Sequence, residues 1–166
     1  RQRQMCIRDR LGVGTTYTDR GVVLKHNGNR TKKLNYNFVN EPDLAQTFVV
    51  TCVLLNIPFR FTGLQSLKIK ETDRIEALKT ELRKLGYLLT DSNNSILEWN
   101  GERCEPQAHP VITTYEDHRM AMAFAPAALV LPEGIEIADP QVVSKSYPHY
   151  WRDLRTAGFI IIDNEQ

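Results

Sequence analysis

A charge-dense stretch from Lys70 to Arg74 stands immediately before an amphipathic helix pattern. Asp73 followed by Glu76 resembles a capping box, so the helix should begin at Thr72 or Asp73. Free N–H groups and the positive end of a helix dipole favour anions and disfavour cations. Two cations at such a place therefore indicate an anionic ligand. The apolar positions that define the helix recur at helical spacing and end before a glycine: Ile75, Leu78, Leu82 and Leu85.

Other ionisable residues fall just before, or in the first turn of, further predicted helices. They are Asp43, then Asp117, His118 and Arg119, and finally Lys145. Asp117 to Arg119 open a helix that is apolar on all sides, and polar groups in such a buried place need partners or a ligand.

If these helices point their N-termini the same way, the charged groups meet at one end of the structure. The positive dipole ends would then lie beside four cations, which suits a small substrate carrying phosphate and carboxylate. The carboxylates Asp43 and Glu71, with His118, could serve proton transfer. The four cations are Lys70, Arg74, Arg119 and Lys145.

Each candidate also has a non-catalytic interpretation. The 70–74 stretch could be a solvated helix start, and Asp43 a helix-start acid. His118 could be a structural histidine with satisfied hydrogen bonds, and Lys145 between two serines is weak evidence by itself.

Composition excludes several other classes of function. A net charge of +1 argues against a general nucleic-acid or membrane-surface binder, and no apolar run reaches membrane-spanning length. The chain lacks a Gly-rich phosphate loop ending in Lys-Ser/Thr, a nucleophile elbow and histidines at metal-ligand spacing. The three widely spaced cysteines, Cys6, Cys52 and Cys104, form no disulfide framework, which suits a reducing cytoplasm.

The elements that must position these residues alternate between strands and helices, which predicts an α/β fold. A strand pair at 14–17 and 21–25 precedes the alternating part. Strands follow at 35–39, 58–62, 87–90, 96–99, 109–113, 135–138 and 159–162. Helices are predicted at 43–55, from 72 or 73 to 85, at 117–129 with a late kink at Pro126, and at 144–157. The last has Ser146 as N-cap, Pro148 in its first turn and Gly158 as C-cap.

The same order of elements occurs twice. Asp43 and His118 are 75 residues apart, and each opens the first helix of its unit. Lys70 and Lys145 are also 75 residues apart, and each precedes the second helix of its unit. The unit is strand–helix–strand–helix–strand–strand, at about 34–99 and 109–163, the second without its final strand. A coincidence within a general α/β protein is the alternative. Residues 1–10, with four arginines and no apolar period, are interpreted as a non-native leader rather than a basic arm.

Three motifs resemble the family of 5-enolpyruvylshikimate-3-phosphate (EPSP) synthases, in the family's order and near its spacing. They are Lys70-Glu71-Thr72-Asp73-Arg74; Tyr115-Glu116-Asp117-His118-Arg119-Met120-Ala121; and Asp139-Pro140 with Ser144-Lys145-Ser146-Tyr147-Pro148. The resemblance covers about residues 11–166 and is to bacterial forms. It implies lobes of βαβαββ units, with helices packed inside a ring of sheets, and that this chain is a C-terminal part of one lobe.

The resemblance also implies an activity: transfer of the enolpyruvyl group of phosphoenolpyruvate to shikimate 3-phosphate, without a metal or redox cofactor. Asp43 is similar to the carboxylate that contacts the shikimate hydroxyls and helps to deprotonate the attacking one. Lys70 is similar to a shikimate 3-phosphate contact, and Glu71 to an acid in proton transfer at the phosphoenolpyruvate methylene. Arg74, Arg119 and Lys145 resemble the cations that hold phosphoenolpyruvate, with His118 beside them. Ser66 departs from the asparagine of many members, which puts one secondary substrate contact in doubt.

The expected partners are the two small-molecule substrates, with no nucleic acid or membrane, in a cytoplasmic protein that is a monomer at full length. Two other functions stay open from the sequence. One is the related transfer of the enolpyruvyl group to a UDP-N-acetylglucosamine acceptor, which the 70–74 motif makes less favoured. The other is a non-catalytic α/β module that binds small anions or a partner protein.

Overall fold

The computed structural model of this 166-residue chain describes residues 7–69 and 73–163. Its strands in chain order are β1 (Leu11–Thr18), β2 (Gly21–Arg30), β3 (Leu34–Asn37), β4 (Phe59–Thr62), β5 (Thr90–Ser92), β6 (Ile96–Trp99), β7 (Val111–Ile112) and β8 (Glu136–Ile137). The α-helices are α1 (Ala45–Leu54), α2 (Arg74–Lys84), α3 (His118–Phe124) and α4 (Tyr150–Thr156). Short 3-10 helices cover Pro42–Leu44, Gln65–Ile69, Ala125–Leu129 and Pro140–Lys145.

The first repeat has the predicted order of elements, and four of its strands form one sheet, in the order β3-β4-β6-β5. β3 and β4 are parallel, with Leu34 opposite Phe59, because α1 crosses between them. β6 pairs antiparallel with β4 and with β5, so the predicted hairpin is confirmed with its first strand displaced to Thr90–Ser92. In the second repeat β7 and β8 form a parallel pair.

The helix α1 is apolar around most of its circumference because it lies inside the core. Seven of its ten residues are buried, including Phe48, Val49 and Cys52. It packs between the sheet, which contributes Phe59 and Phe61, and α3, whose Met120 and Phe124 are fully buried. Burial of this area is the main stabilising term of the fold, and it holds the N-terminal ends of α1 and α3 close together.

The predicted helix at 117–129 is shorter than expected. The α-helical part ends at Phe124, and a 3-10 helix from Ala125 to Leu129 contains Pro126 near its start. Proline lacks the N–H that the α-helical ladder needs, so the chain changes to the tighter helix there instead of continuing with a kink.

The C-terminal region departs most from the sequence-based prediction. The last helix begins at Tyr150 with His149 as N-cap, so the predicted start at Ser144 and the N-cap role of Ser146 were wrong. Pro140 instead starts a 3-10 helix that buries Val142 and Val143 and ends at Lys145. Residues 159–162 form no strand: Ile160 and Ile162 are 91% and 80% exposed, and within residues 7–69 and 73–163 no strand pairs with them.

At the N-terminal end, β1 and β2 form the predicted antiparallel hairpin, longer than expected. Residues 7–10, which the sequence assigned to the leader, are helical, and Ile7 is fully buried in the core. Residues 1–6 lie outside the described part of the chain.

Candidate functional site

Three helix starts bring predicted site residues together. Asp43 lies in the 3-10 turn Pro42–Leu44 that leads into α1, and Arg74 is the first residue of α2. Asp117 is the N-cap of α3, and its carboxylate accepts a hydrogen bond from the backbone N–H of Arg119 in the first turn. The predicted capping of α2 is confirmed, because Asp73 accepts hydrogen bonds from the N–H groups of Ile75 and Glu76.

Four of these side chains form a continuous chain of ion pairs, here called the Asp–Arg cluster: Asp117, Arg74, Asp43 and Arg119. The Nε of Arg74 lies 2.7 Å from Oδ2 of Asp117, and its Nη1 lies 3.5 Å from Oδ1 of Asp43. The Nη2 of Arg119 lies 2.9 Å from Oδ2 of Asp43. The two cations and two carboxylates balance, so the arginines can stand at helix N-termini that would otherwise repel them.

The Asp–Arg cluster has a buried end and an open end. The side chains of Arg74 and Asp117 are 4% and 1% exposed, whereas those of Asp43 and Arg119 are 46% and 32% exposed. At the buried end Gln46, itself fully buried, donates to Oδ2 of Asp117 over 3.3 Å. A buried ion pair needs such additional hydrogen bonds to offset its desolvation. The open end is where a ligand could reach Asp43 and Arg119.

Three polar atoms around the cluster are buried without a hydrogen-bond partner. They are Nε of Arg119, Oε1 of Gln46 and Oγ1 of Thr114. Buried polar groups are normally satisfied, so each of these calls for an explanation. The Nε–H of an arginine can only donate, and an anionic oxygen at the open end would be its natural acceptor.

Among the residues that the structure describes, the predicted site residues His118 and Lys145 form no ion pair with the cluster. Lys70 and Glu71 lie outside the described residues. His118 is half-buried at the start of α3. Lys145 is exposed at the end of a 3-10 helix, five residues before α4, so its expected position at the start of that helix was wrong.

Three residues that support this site were not among the predicted site residues: Gln46, Glu81 and Tyr115. Gln46 interrupts the apolar α1, and Glu81 lies three residues after Leu78, on the apolar side of α2. A polar side chain on an apolar helical face was the signal that could have identified both. Nothing in the sequence marked Tyr115 apart from its place in the motif.

A second charged network includes residues on either side of positions 70–72. The Nζ of Lys68 lies 3.8 Å from Oδ2 of Asp73 and 3.9 Å from Oδ2 of Asp91, and it donates to Oδ1 of Asn94 over 2.9 Å. The Nζ of Lys79 lies 2.6 Å from Oδ1 of Asp91. The network therefore ties Lys68 and Asp73 to the β5–β6 hairpin.

The pH dependence of stability should reveal the Lys79–Asp91 pair. The hydrogen bond from Lys79 lowers the pKa of Asp91 below its usual 3.8, although partial burial opposes the shift. A carboxyl group whose pKa is lower in the folded than in the unfolded state stabilises the fold when the pH is above its unfolded-state pKa. This stabilisation is lost as the pH falls through the folded-state pKa. We expect the stability difference between wild type and Asp91→Asn to be largest near neutral pH and to shrink below about pH 4.

Urea unfolding of the 166-residue chain at several pH values, followed by circular dichroism, measures that difference. Asp19→Asn, in the exposed turn between β1 and β2, controls for the loss of one surface carboxylate. A difference for Asp91→Asn that is independent of pH between 7 and 3 would contradict the coupling to Lys79.

No helix of residues 7–69 and 73–163 is long and apolar enough to cross a membrane. Across the same residues, no group of three or more histidine, cysteine, aspartate or glutamate side chains is arranged to hold a metal ion.

Comparison with known proteins defines the family. The family model for EPSP synthase (3-phosphoshikimate 1-carboxyvinyltransferase) matches residues 6–154. A 3-phosphoshikimate 1-carboxyvinyltransferase of Bacteroides fragilis strain YCH46 is 70% identical over 157 residues, which are 95% of this chain and 38% of that protein. The enzyme of the same name from Laribacter hongkongensis is 41% identical over 110 residues, covering 66% of this chain and 25% of its own length.

The fold agrees with this relationship. The solved structure of EPSP synthase from Acinetobacter baumannii superposes with a TM-score of 0.65 over 90% of this chain and 37% of its own, at 23% identity. The chain therefore belongs to the EPSP synthase family and has the enolpyruvyl transferase fold, as the three motifs predicted. It spans less than two fifths of the length of the B. fragilis relative.

Proposed function

We propose that this chain is the C-terminal part of an enzyme that transfers the enolpyruvyl group of phosphoenolpyruvate to the 5-hydroxyl of shikimate 3-phosphate and releases phosphate. The observation that carries the proposal is the Asp–Arg cluster at three converging helix starts, in a chain of this family. The carboxylate of Asp43 and the guanidinium of Arg119 stand side by side at its open end, with 46% and 32% of their side chains exposed.

In this proposal the arginines hold phosphoenolpyruvate. Arg119, whose side chain is 32% exposed, offers its guanidinium to a carboxylate or phosphate oxygen, and Arg74 supplies positive charge from the buried side. Lys145 is proposed as a third cation of this group; because it lies outside the cluster, it would have to reach the ligand from the 3-10 helix. Lys70 contacts shikimate 3-phosphate near the reacting centre.

The proposed reaction needs acid/base groups and stabilised anions. The 5-hydroxyl adds to C2 of phosphoenolpyruvate, and Asp43 helps to remove the hydroxyl proton. At the same time C3 is protonated, in a transfer that involves Glu71. The tetrahedral adduct then loses a proton from C3 and its phosphate, which forms the enol ether. His118 is proposed as a further catalytic residue because it begins the helix that carries Arg119. No step of this proposed reaction calls for a metal or redox cofactor.

The remaining parts of the proposal concern the whole protein. It would bind the two small-molecule substrates between two lobes whose closure excludes water, and it would act as a monomer without nucleic acid or membrane. A cytoplasmic location is supported by Cys52 and Cys104, which are both free thiols.

The 166-residue chain by itself should show no turnover above background, because it spans only 38% of the length of the B. fragilis relative and the proposed site needs a facing lobe. The test compares two proteins: the chain alone, and the chain joined to the N-terminal part of the B. fragilis relative. Phosphate release from shikimate 3-phosphate and phosphoenolpyruvate is measured for both, with UDP-N-acetylglucosamine as the alternative acceptor.

We expect the joined protein to turn over shikimate 3-phosphate and the chain alone to show no turnover. Substantial turnover by the chain alone would contradict the need for a second lobe. Turnover with the aminosugar acceptor instead would overturn the proposed substrate. Titration calorimetry that detects phosphoenolpyruvate binding by the joined protein without any turnover would favour a non-catalytic anion-binding module.

A further inference from the structure

The turn that delivers Asp117 to the Asp–Arg cluster has an unfavourable backbone. The N–H of Asp117 donates to the carbonyl of Thr114 over 2.9 Å, and the two central residues, Tyr115 and Glu116, have φ of +54° and +56°. Two positive φ values are those of a type I′ turn, in which Asn and Gly are the favoured residues. A tyrosine and a glutamate persist in this conformation only when surrounding contacts hold them there.

One buried side chain contacts both this turn and the residue that precedes it. Glu81 of α2 is fully buried, and its Oε2 accepts a hydrogen bond of 3.0 Å from the backbone N–H of Thr113, before the turn. Its Oε1 accepts one of 2.8 Å from the hydroxyl of Tyr115, within the turn. Burial, together with this hydrogen bond, raises the pKa of Tyr115 to about 12.

The charge of Glu81 is compensated locally. The Nζ of Lys84 lies 2.7 Å from its Oε2 and also donates to the carbonyl of Val111 in β7 over 2.9 Å. Both carboxylate oxygens are thus used, which is what a buried carboxylate requires. An acid suits this position better than an amide, because an amide keeps one acceptor oxygen whereas the Thr113 N–H and the Lys84 ammonium can only donate.

We propose that Glu81 is a positioning residue of the active site. It acts through Thr113 and Tyr115, which hold the 114–117 turn closed and so fix where α3 starts. Asp117 and Arg119 depend on that start for their contacts with Arg74 and Asp43. The inference rests on the proposed function, in which Arg119 contacts phosphoenolpyruvate, and it extends the site to a residue that contacts no substrate.

The test uses the joined full-length protein described above, with the variants Glu81→Gln, Tyr115→Phe and the double variant. Tyr150→Phe is the matched control, because it removes a tyrosine hydroxyl that donates to the carbonyl of Met122 in the same helix, α3, beyond the turn. Three quantities are measured for each protein: KM for each substrate with kcat, the urea midpoint, and amide hydrogen exchange of a peptide spanning 113–119.

We expect Tyr115→Phe and Glu81→Gln to raise the KM for phosphoenolpyruvate roughly tenfold, since small displacements of positioning groups have large effects. The KM for shikimate 3-phosphate should change less than about twofold, and exchange across 113–119 should accelerate. The double variant should be no worse than the worse single variant, because both substitutions break the same hydrogen bond. Tyr150→Phe should lower the urea midpoint and leave the KM for phosphoenolpyruvate and the KM for shikimate 3-phosphate unchanged.

A merely structural role would lower the urea midpoint and leave both KM values unchanged, which would overturn the proposal. If the wild type shows no turnover, the proposed function fails, and hydrogen exchange still decides the inference. Accelerated exchange limited to 113–119 would support control of the turn by Glu81, and unchanged exchange there would refute it.

Discussion

Replacement of Asp43 by asparagine is expected to reduce turnover of the joined full-length protein by about 100-fold or more. Asparagine keeps the shape of the side chain but cannot take up a proton, and positioned acid/base groups typically contribute factors of this size. The KM for each substrate should change much less than kcat. Asp43→Ala should abolish turnover, because it also removes the partner that holds Arg119 at 2.9 Å.

The matched control is Asp163→Asn. Asp163 also pairs with an arginine, because its Oδ2 lies 2.8 Å from Nη2 of Arg155. Its side chain, however, is 78% exposed and lies near the C-terminal end of the described chain. This variant should retain wild-type kinetics. If turnover by Asp43→Asn is the same as that of the wild type, Asp43 does not take part in the proposed proton transfer.

Replacement of Arg74 by methionine should destabilise the chain by about 3–5 kcal/mol, because it leaves Asp117 charged, buried and without its ion-pair partner. The side chain of Asp117 is 1% exposed, so water cannot replace the guanidinium. The free energy of unfolding of the 166-residue chain, from urea titration followed by circular dichroism, measures the loss.

Two further variants identify the cause of that loss. Arg60→Met removes an arginine that pairs with Glu98 between strands but is 45% exposed, and it should cost less than about 1 kcal/mol. The double variant Arg74→Met with Asp117→Asn should recover part of the stability, because the buried charge is then gone. If the double variant is as unstable as the sum of the two single variants, the ion pair is not the source of the effect.

Local patterns in the sequence were sufficient for most of the first repeat. The N-cap residue Asp73 and the apolar spacing after it indicated the start of α2, because both are patterns of neighbouring residues in the chain. The β5–β6 hairpin was predicted from its polar turn, although its first strand lies at Thr90–Ser92 and not at 87–90. The family motifs then led to the fold class, which the comparisons confirm.

Predictions failed where a local pattern was compatible with two structures. Ser144-Lys145-Ser146 reads as a helix start, but Pro140 begins a 3-10 helix earlier and burial of Val142 and Val143 favours it. Residues 159–162 are as apolar as a strand, yet a strand forms only when another lies beside it, and none does among the described residues.

The sequence by itself determined the family and the candidate residues for its chemistry: charged residues at helix starts, in motifs that identify the family. Only the tertiary structure decided how these residues interact. It joined Asp43, Arg74, Asp117 and Arg119 into one neutral cluster with a buried and an open end, and it left Lys145 outside. It also revealed Glu81, whose role depends on Thr113 and Tyr115 more than thirty residues away. Helix starts are encoded locally, whereas ion pairs and burial depend on which helices pack together, and that is set by the whole core.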